Sequence, residues 1–316
     1  MIKLVKMKLK KIKINKKNLK NIIFWINFII LTISLSFLAK FYVIDQYFSD
    51  QALKQARKIH SENRDKNIRD IYEKFKDLIA INPDIKGWIK IENTVIDYPV
   101  LQSSVDDPIF YLHKNYKKEK DINGSIFINS YYSVLDSCTQ NTVLHGHSMR
   151  NGKMFAPILK YRNIDFLKKS PIITFDNIVT GFGKWKIFAF IQTNTDESHG
   201  EVFNYLVPNF DSDEDFYEFL YKIHIRSHIT TDNKFRATDP ILTLSTCSYE
   251  MKGFRTVVFA RKIRPDEDEN VNHDNMTNNP NPLMPKGWYD MKKRKMPTFD
   301  SYDEALKKGK IDWIDH

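Results

Sequence analysis

Two side chains eight residues apart, Cys247 and Arg255, stand out in this 316-residue chain as a pair able to do chemistry. A cysteine is a nucleophile once ionised, and an arginine is a permanent cation carrying a rigid fork of donors. Together they could attack a carbonyl and hold the charge that develops on its oxygen. A cysteine nucleophile also needs a base or a cationic partner supplied from elsewhere in the chain. His147, exposed just after a glycine in Leu144-His145-Gly146-His147-Ser148, is the candidate. The bland alternative is a buried cysteine beside a surface arginine.

Short strands must position these groups. Ile241-Leu242-Thr243-Leu244 is a run of strand formers with alternating sides, so Cys247 falls where a strand ends. Arg255-Thr256-Val257-Val258-Phe259-Ala260 reads as the next strand, and a hairpin-like return would carry Arg255 alongside Cys247. Asn141-Thr142-Val143-Leu144 is a third strand, leading into Gly146 and His147. His145, two residues before His147, would project from the same face and competes for the same role. Ser245 and Thr246 are candidates for substrate contact, against the alternative of structural strand hydroxyls. His113, His199, His224 and His228 have no motif around them and are expected to be surface or internally satisfied groups. No clustered spacing of His, Cys and carboxylate suggests a metal, and no cofactor is expected. The two cysteines, Cys138 and Cys247, could form a disulfide, but pairing would consume the thiol to which the other motifs point.

The block Thr243-Leu244-Ser245-Thr246-Cys247, the arginine on the following strand and the Gly146-His147 step resemble the catalytic signature of sortases, and of class B in particular. Gly87-Trp88-Ile89, Ile96-Asp97-Tyr98-Pro99-Val100, Gly124-Ser125-Ile126-Phe127 and Asn151-Gly152-Lys153-Met154-Phe155 match in the order that class has them. The resemblance covers roughly residues 80 to 264. It implies a sortase-type β-barrel and assigns catalysis to Cys247, His147 and Arg255, preferring His147 to His145 because the family's histidine follows the glycine. The implied reaction cuts a sorting signal of Asn-Pro-x-Thr type after threonine, through a thioester. The carried protein then passes to an amine of a lipid II-like peptidoglycan precursor at a Gram-positive cell surface. The residues alone leave open a cysteine peptidase that lets water take the thioester, and a tethered binding module with an inert cysteine.

Around this core the chain is uneven. A hydrophobic fraction of 42% with 13% aromatic residues is ample for a packed domain. The formal charge of +10 suggests nucleic acid at first, but nine lysines crowd positions 3 to 20 without any nucleic-acid-binding signature, and no such partner is expected. Residues 21–43 form an almost uncharged apolar stretch long enough to span a bilayer. The basic flank predicts a cytoplasmic N-terminal segment, 1–20, with the rest sent outside. A cleaved signal peptide is the alternative, less consistent with the length of the stretch.

Residues 44–80 are expected to be a helical spacer: Ile68, Ile71, Tyr72, Phe75, Leu78 and Ile79 recur at helical spacing, either facing the membrane or packing on the barrel. From 81 to 264 the pattern is mainly β, with eight candidate strands: Trp88–Ile91, Val95–Val100, Gly124–Ile128, Thr142–Leu144, Ile172–Phe175, Lys184–Ile191, Ile241–Thr246 and Thr256–Arg261. Met154–Leu159 reads as a short helix. Asp213–Ile225 reads as a longer one before the cysteine strand, with Phe216, Phe219, Leu220 and Ile223 on one face. Residues 265–316 begin as a polar, solvated linker and end in a stretch with Trp288, Phe299, Tyr302 and Trp313. This extension departs from the family pattern, and either packs on the barrel or covers the site.

Overall fold

The structure is a computed structural model that describes residues 16–64, 70–136 and 138–315. It divides into a unit ending at Phe48 and a second unit, Ser49–His316. The first contains helix α1 (Lys16–Ala39), a π-helical turn (Lys40–Ile44) and the start of α2 (Asp45–Arg64). Ile22, Phe24, Trp25, Leu31 and Phe37 on α1 are all exposed, an apolar surface all round that a water-soluble helix would bury. By length and composition this helix can cross a membrane. Lys40 at its end is paired with Asp45 at 2.8 Å. The lysines before Lys16 lie outside the described residues, as does Ile68.

The second unit holds strands β1 (Ile85–Ile91), β2 (Asp97–Gln102), β3 (Ile126–Ile128), β4 (Asn141–His145), β5 (Ile172–Asn177), β6 (Lys184–Asn194), β7 (Ile229–Thr230), β8 (Ile241–Cys247), β9 (Phe254–Lys262) and β10 (Thr277–Asn278). Eight of them close a barrel in the order β1-β2-β3-β4-β8-β9-β6-β5, while β7 and β10 form a separate antiparallel pair. Every strand expected from the sequence lies in the barrel. Along β8 and β9 the two faces alternate between two cores: Leu242, Leu244, Val258 and Ala260 fill the barrel, whereas Ile241, Val257 and Phe259 pack beneath α5 (Asp213–Arg226). Both faces are buried, which is why these strands read as nearly continuous apolar runs. Ser212 caps α5 through the amide of Asp215, and the expected face of Phe216, Phe219, Leu220 and Ile223 is buried.

On another side, α2 and α3 (Ile71–Ile81) pack on the barrel. Ala52, Ala56, Phe75 and Leu78 join Ile85, Trp88 and Leu101 in one cluster. An ion pair at 2.6 Å between Lys74 and Asp176, both about 10% exposed, ties α3 to β5. Two local expectations differ. Val95 is exposed in a turn where Thr94 accepts the amide of Ile96, so β2 starts only at Asp97. Met154 has φ 55°, which no right-handed helix accommodates; the short helix is a 3-10 segment, Ala156–Arg162, with Pro157 in its first turn.

Beyond β9 the chain stays on the barrel. Glu267 accepts from Arg261 (2.6 Å) and Lys186 (2.9 Å); burial works to raise its pKa, but these bonds hold the carboxyl at about 2. Met276 enters the barrel core. Helix α4 (Ile164–Lys169) precedes β5; in the extension, after α6 (Lys286–Lys292) and α7 (Tyr302–Lys307, closed by a Ser301/Glu304 capping box), Trp313 stacks on His224 of α5 at 4.8 Å and 3°. Cys247 remains exposed, so the extension does not bury the thiol.

Candidate active site

Strand pairing brings the three candidates to one end of the barrel. On the antiparallel pair β8–β9, Cys247 lies opposite Arg255, and Arg255 Nη1 is 3.3 Å from Cys247 Sγ. The parallel pair β4–β8 aligns His145 with Ser245, so His147 and Cys247 each lie two residues past the same rung. Gly146 donates its amide to Ser245 O, and Thr246 Oγ1 donates to Gly146 O at 2.7 Å, locking the two strand ends together. A Cβ at 146 would lie 2.5 Å from Ile126 Cδ1 and 2.9 Å from Phe155 Cδ2, so any side chain there would force those buried neighbours to shift.

His147 Nε2 donates to Leu112 O at 2.9 Å, which leaves Nδ1 as its second nitrogen for proton exchange. Burial pulls its pKa below the usual histidine range; the Leu112 bond opposes this and nearby His113 adds to it. His145 behaves differently: burial, reinforced by the positive charge of Arg255, pushes it down to about 4, and its Nε2 is buried without a partner. It packs on Phe127, ring centroids 5.7 Å apart, as a neutral wall beside the arginine. Ser245 and Thr246 are both buried, with Ser245 Oγ bonded to Tyr205 OH at 2.8 Å. In this structure their hydroxyls are committed to protein partners.

A model of the sortase domain matches residues 89–263 of the chain. Among known proteins, sortase B of Listeria monocytogenes is 38% identical over 181 residues, which cover 57% of this chain and 70% of that protein. Sortase B of Staphylococcus aureus is 34% identical over 194 residues, covering 60% and 75% respectively. A solved S. aureus sortase B–substrate complex superposes with a TM-score of 0.62 at 29% identity, over 71% of this chain and all (100%) of that one. The chain belongs to the sortase family.

Its resemblance is to the class B members, and it is a cysteine transpeptidase by family. In this sortase a polar network supports the loop after Cys247. Ser248 Oγ donates to Glu250, Gln192 Nε2 donates to Ser248 Oγ at 3.3 Å, and Arg162 donates to both Gln192 and Glu250. Tyr249 OH donates to Ser148 O, joining the cysteine loop to the histidine loop. Tyr205, Arg162, Gln192 and the Leu112 carbonyl were not singled out by the sequence reading. Each comes from a distant segment that carries no motif, and only Glu250, three residues past the cysteine, had a positional signal.

Proposed function

We propose that this sortase joins proteins bearing a C-terminal Asn-Pro-x-Thr type sorting signal to an amine of a peptidoglycan precursor, with Cys247 as nucleophile, His147 as acid and Arg255 as oxyanion holder. The observation that carries the reading is the 3.3 Å approach of the Arg255 guanidinium to Cys247 Sγ on adjacent strands, with the His147 loop on the neighbouring parallel strand. The Cys247 thiolate attacks the carbonyl carbon of threonine, and the oxygen that gains the electron pair is stabilised by the arginine fork. As the C–N bond breaks, a proton passes from protonated His147 to the departing amine; burial lowers this histidine's pKa, which makes its protonated form a stronger acid but a scarcer one at neutral pH. The acceptor amine then attacks the thioester and gives a proton to the now neutral His147 as the C–S bond breaks, so that the thiolate and the protonated imidazole are both regenerated. Ser245 and Thr246, placed on the same strand, serve chiefly to shape the backbone along which the signal lies.

The chain divides accordingly into a cytoplasmic basic segment (1–20), a membrane anchor (21–43), a helical spacer (44–80), the catalytic barrel (81–264) and the extension (265–316), with everything past the anchor outside the cell. The S. aureus relative was solved as a substrate complex, which supports a peptide-binding reading of this barrel end. The test is a mass-spectrometric assay of the full-length protein in detergent with a peptide library, with and without an amine acceptor. The expected result is cleavage after threonine in Asn-Pro-x-Thr peptides and an amine-dependent joined product. Preference for a Leu-Pro motif would overturn the substrate assignment, and hydrolysis unaffected by amine would make the protein a peptidase.

A further inference from the structure

The extension past β9 reaches the catalytic arginine through a short series of contacts. Its helix α6 is seated on the turn that follows β6, so tightly that glycines face each other's chains: a Cβ at Gly287 would lie 2.8 Å from His199 Nδ1, 3.2 Å from its Cβ and 3.3 Å from its Cα, and one at Gly200 would lie 2.7 Å from Lys286 Cβ. Gly200 also has φ 103°, a conformation side-chain-bearing residues rarely adopt. His199 in turn packs edge-on against Phe254, ring centroids 5.6 Å apart at 80°. Phe254 is fully buried, and its carbonyl receives both the Ser248 amide (3.0 Å) and Arg255 Nη1 (3.4 Å). The same turn is stitched to the loop after Cys247, because Thr195 gives both its amide and its hydroxyl to Gly253 O at 2.9 Å. A backbone bond from Leu283 N to Ile225 O (2.8 Å) and the β7–β10 pair fix the extension to α5 and the strand beyond it.

We infer that the C-terminal extension is a positioning element of the active site: α6 holds His199 against Phe254 and so sets where the Arg255 guanidinium stands relative to Cys247. His199 and Gly287 are positioning residues, since neither touches the thiol or a substrate. The inference rests on the functional reading above only for its kinetic test. A motion of an oxyanion donor by a fraction of an ångström weakens the transition state far more than the ground state, so it lowers kcat and leaves KM nearly unchanged.

The experiment uses the full-length protein and three variants: Gly287→Ala, His199→Ala and the double variant. Alanine is a better helix former than glycine, so Gly287→Ala should not weaken α6 itself. The new methyl meets His199 at three atoms at once, which ring rotation alone does not relieve. The expected result is a kcat for peptide joining reduced by about 10- to 100-fold with KM changed by less than about twofold. His199→Ala alone should cost less, and the double variant should fall near His199→Ala rather than sum the two losses, because the closest approach, 2.8 Å to the ring Nδ1, is gone and only the contacts at 3.2 Å and 3.3 Å to Cβ and Cα remain. Hydrogen exchange, read on peptides covering residues 194–203 and 248–256, should rise in Gly287→Ala and fall back in the double variant towards the His199→Ala level. Exchange unchanged by Gly287→Ala, or losses that add independently, would overturn the inference. If the wild type fails to join peptides, the functional reading fails, and the exchange pattern still decides whether the extension braces this turn.

Discussion

On the proposed mechanism Cys247 Sγ carries the thioester, so Cys247→Ala should abolish turnover, whereas Cys138→Ala, in an exposed loop, should leave the rate close to wild type. Loss of acid catalysis is typically worth about 10²–10⁴-fold, and His147→Ala should fall at or beyond that range. Arg255→Lys keeps the charge but loses the fork, and should cost about the 10²–10³-fold that a single oxyanion donor contributes. His145→Ala should matter much less, because that ring is neutral and faces Phe127 and the arginine rather than a carbonyl partner. Initial rates of amine-dependent joining, with folding checked by circular dichroism, test all five; activity in a folded Cys247→Ala protein, or His145 outranking His147, would show the roles to be misassigned.

Elements rather than residues account for how α3 meets the barrel. The Lys74–Asp176 pair sits at an interface otherwise made of Phe75, Leu78, Trp88 and Ile85. Removing one member of a buried pair strands the other charge, at a cost of about 3–5 kcal/mol, while replacing both with apolar groups is close to neutral. Asp176→Ala should therefore lower the denaturation midpoint sharply, and Lys74→Met/Asp176→Leu should recover most of it; equal midpoints for the single variant and wild type would remove the pair from the stability account. On the opposite side, Trp313 closes the α5 core by stacking on His224 and packing against Phe235 at 5.9 Å. Trp313→Ala should cost about 3–5 kcal/mol, measured by denaturant unfolding, as for other buried large aromatics.

For the molecule as a whole, acid is the expected weakness. His145, His224 and His228 are each pushed to about 4, with burial the largest cause in all three. Unfolded, these rings take protons below about 6.5, whereas folded they resist until about 4, so between those values the unfolded chain binds more protons and stability falls as pH falls. Each ring accounts for on the order of 2–3 kcal/mol by pH 4. Unfolding midpoints should be flat above pH 7 and drop steeply between pH 6 and 4, and a midpoint that rose on acidification would contradict the burial of these rings. Topology gives an independent test: protease added to intact protoplasts should digest the catalytic domain, because moving the N-terminal lysines across a bilayer is disfavoured. A fully protected domain would reverse the orientation. What the sequence by itself determined was local. The alternation in β8 and β9 marked strands that flank Cys247 and Arg255, the glycine before His147 marked a strand end, and the 3.6-residue period of Phe216, Phe219, Leu220 and Ile223 marked the face of α5. Each of these depends on neighbours within one element, where spacing alone dictates which side chains share a face. Only the tertiary structure decided that β4 lies parallel to β8, that the Leu112 carbonyl takes His147 Nε2, that Tyr205 binds Ser245, and that the extension packs on α5 with Trp313 and reaches His199 through Gly287. Those contacts join segments from tens to a hundred residues apart, and they exist because closing the barrel and burying α5 bring these segments together; no local period encodes which partners meet.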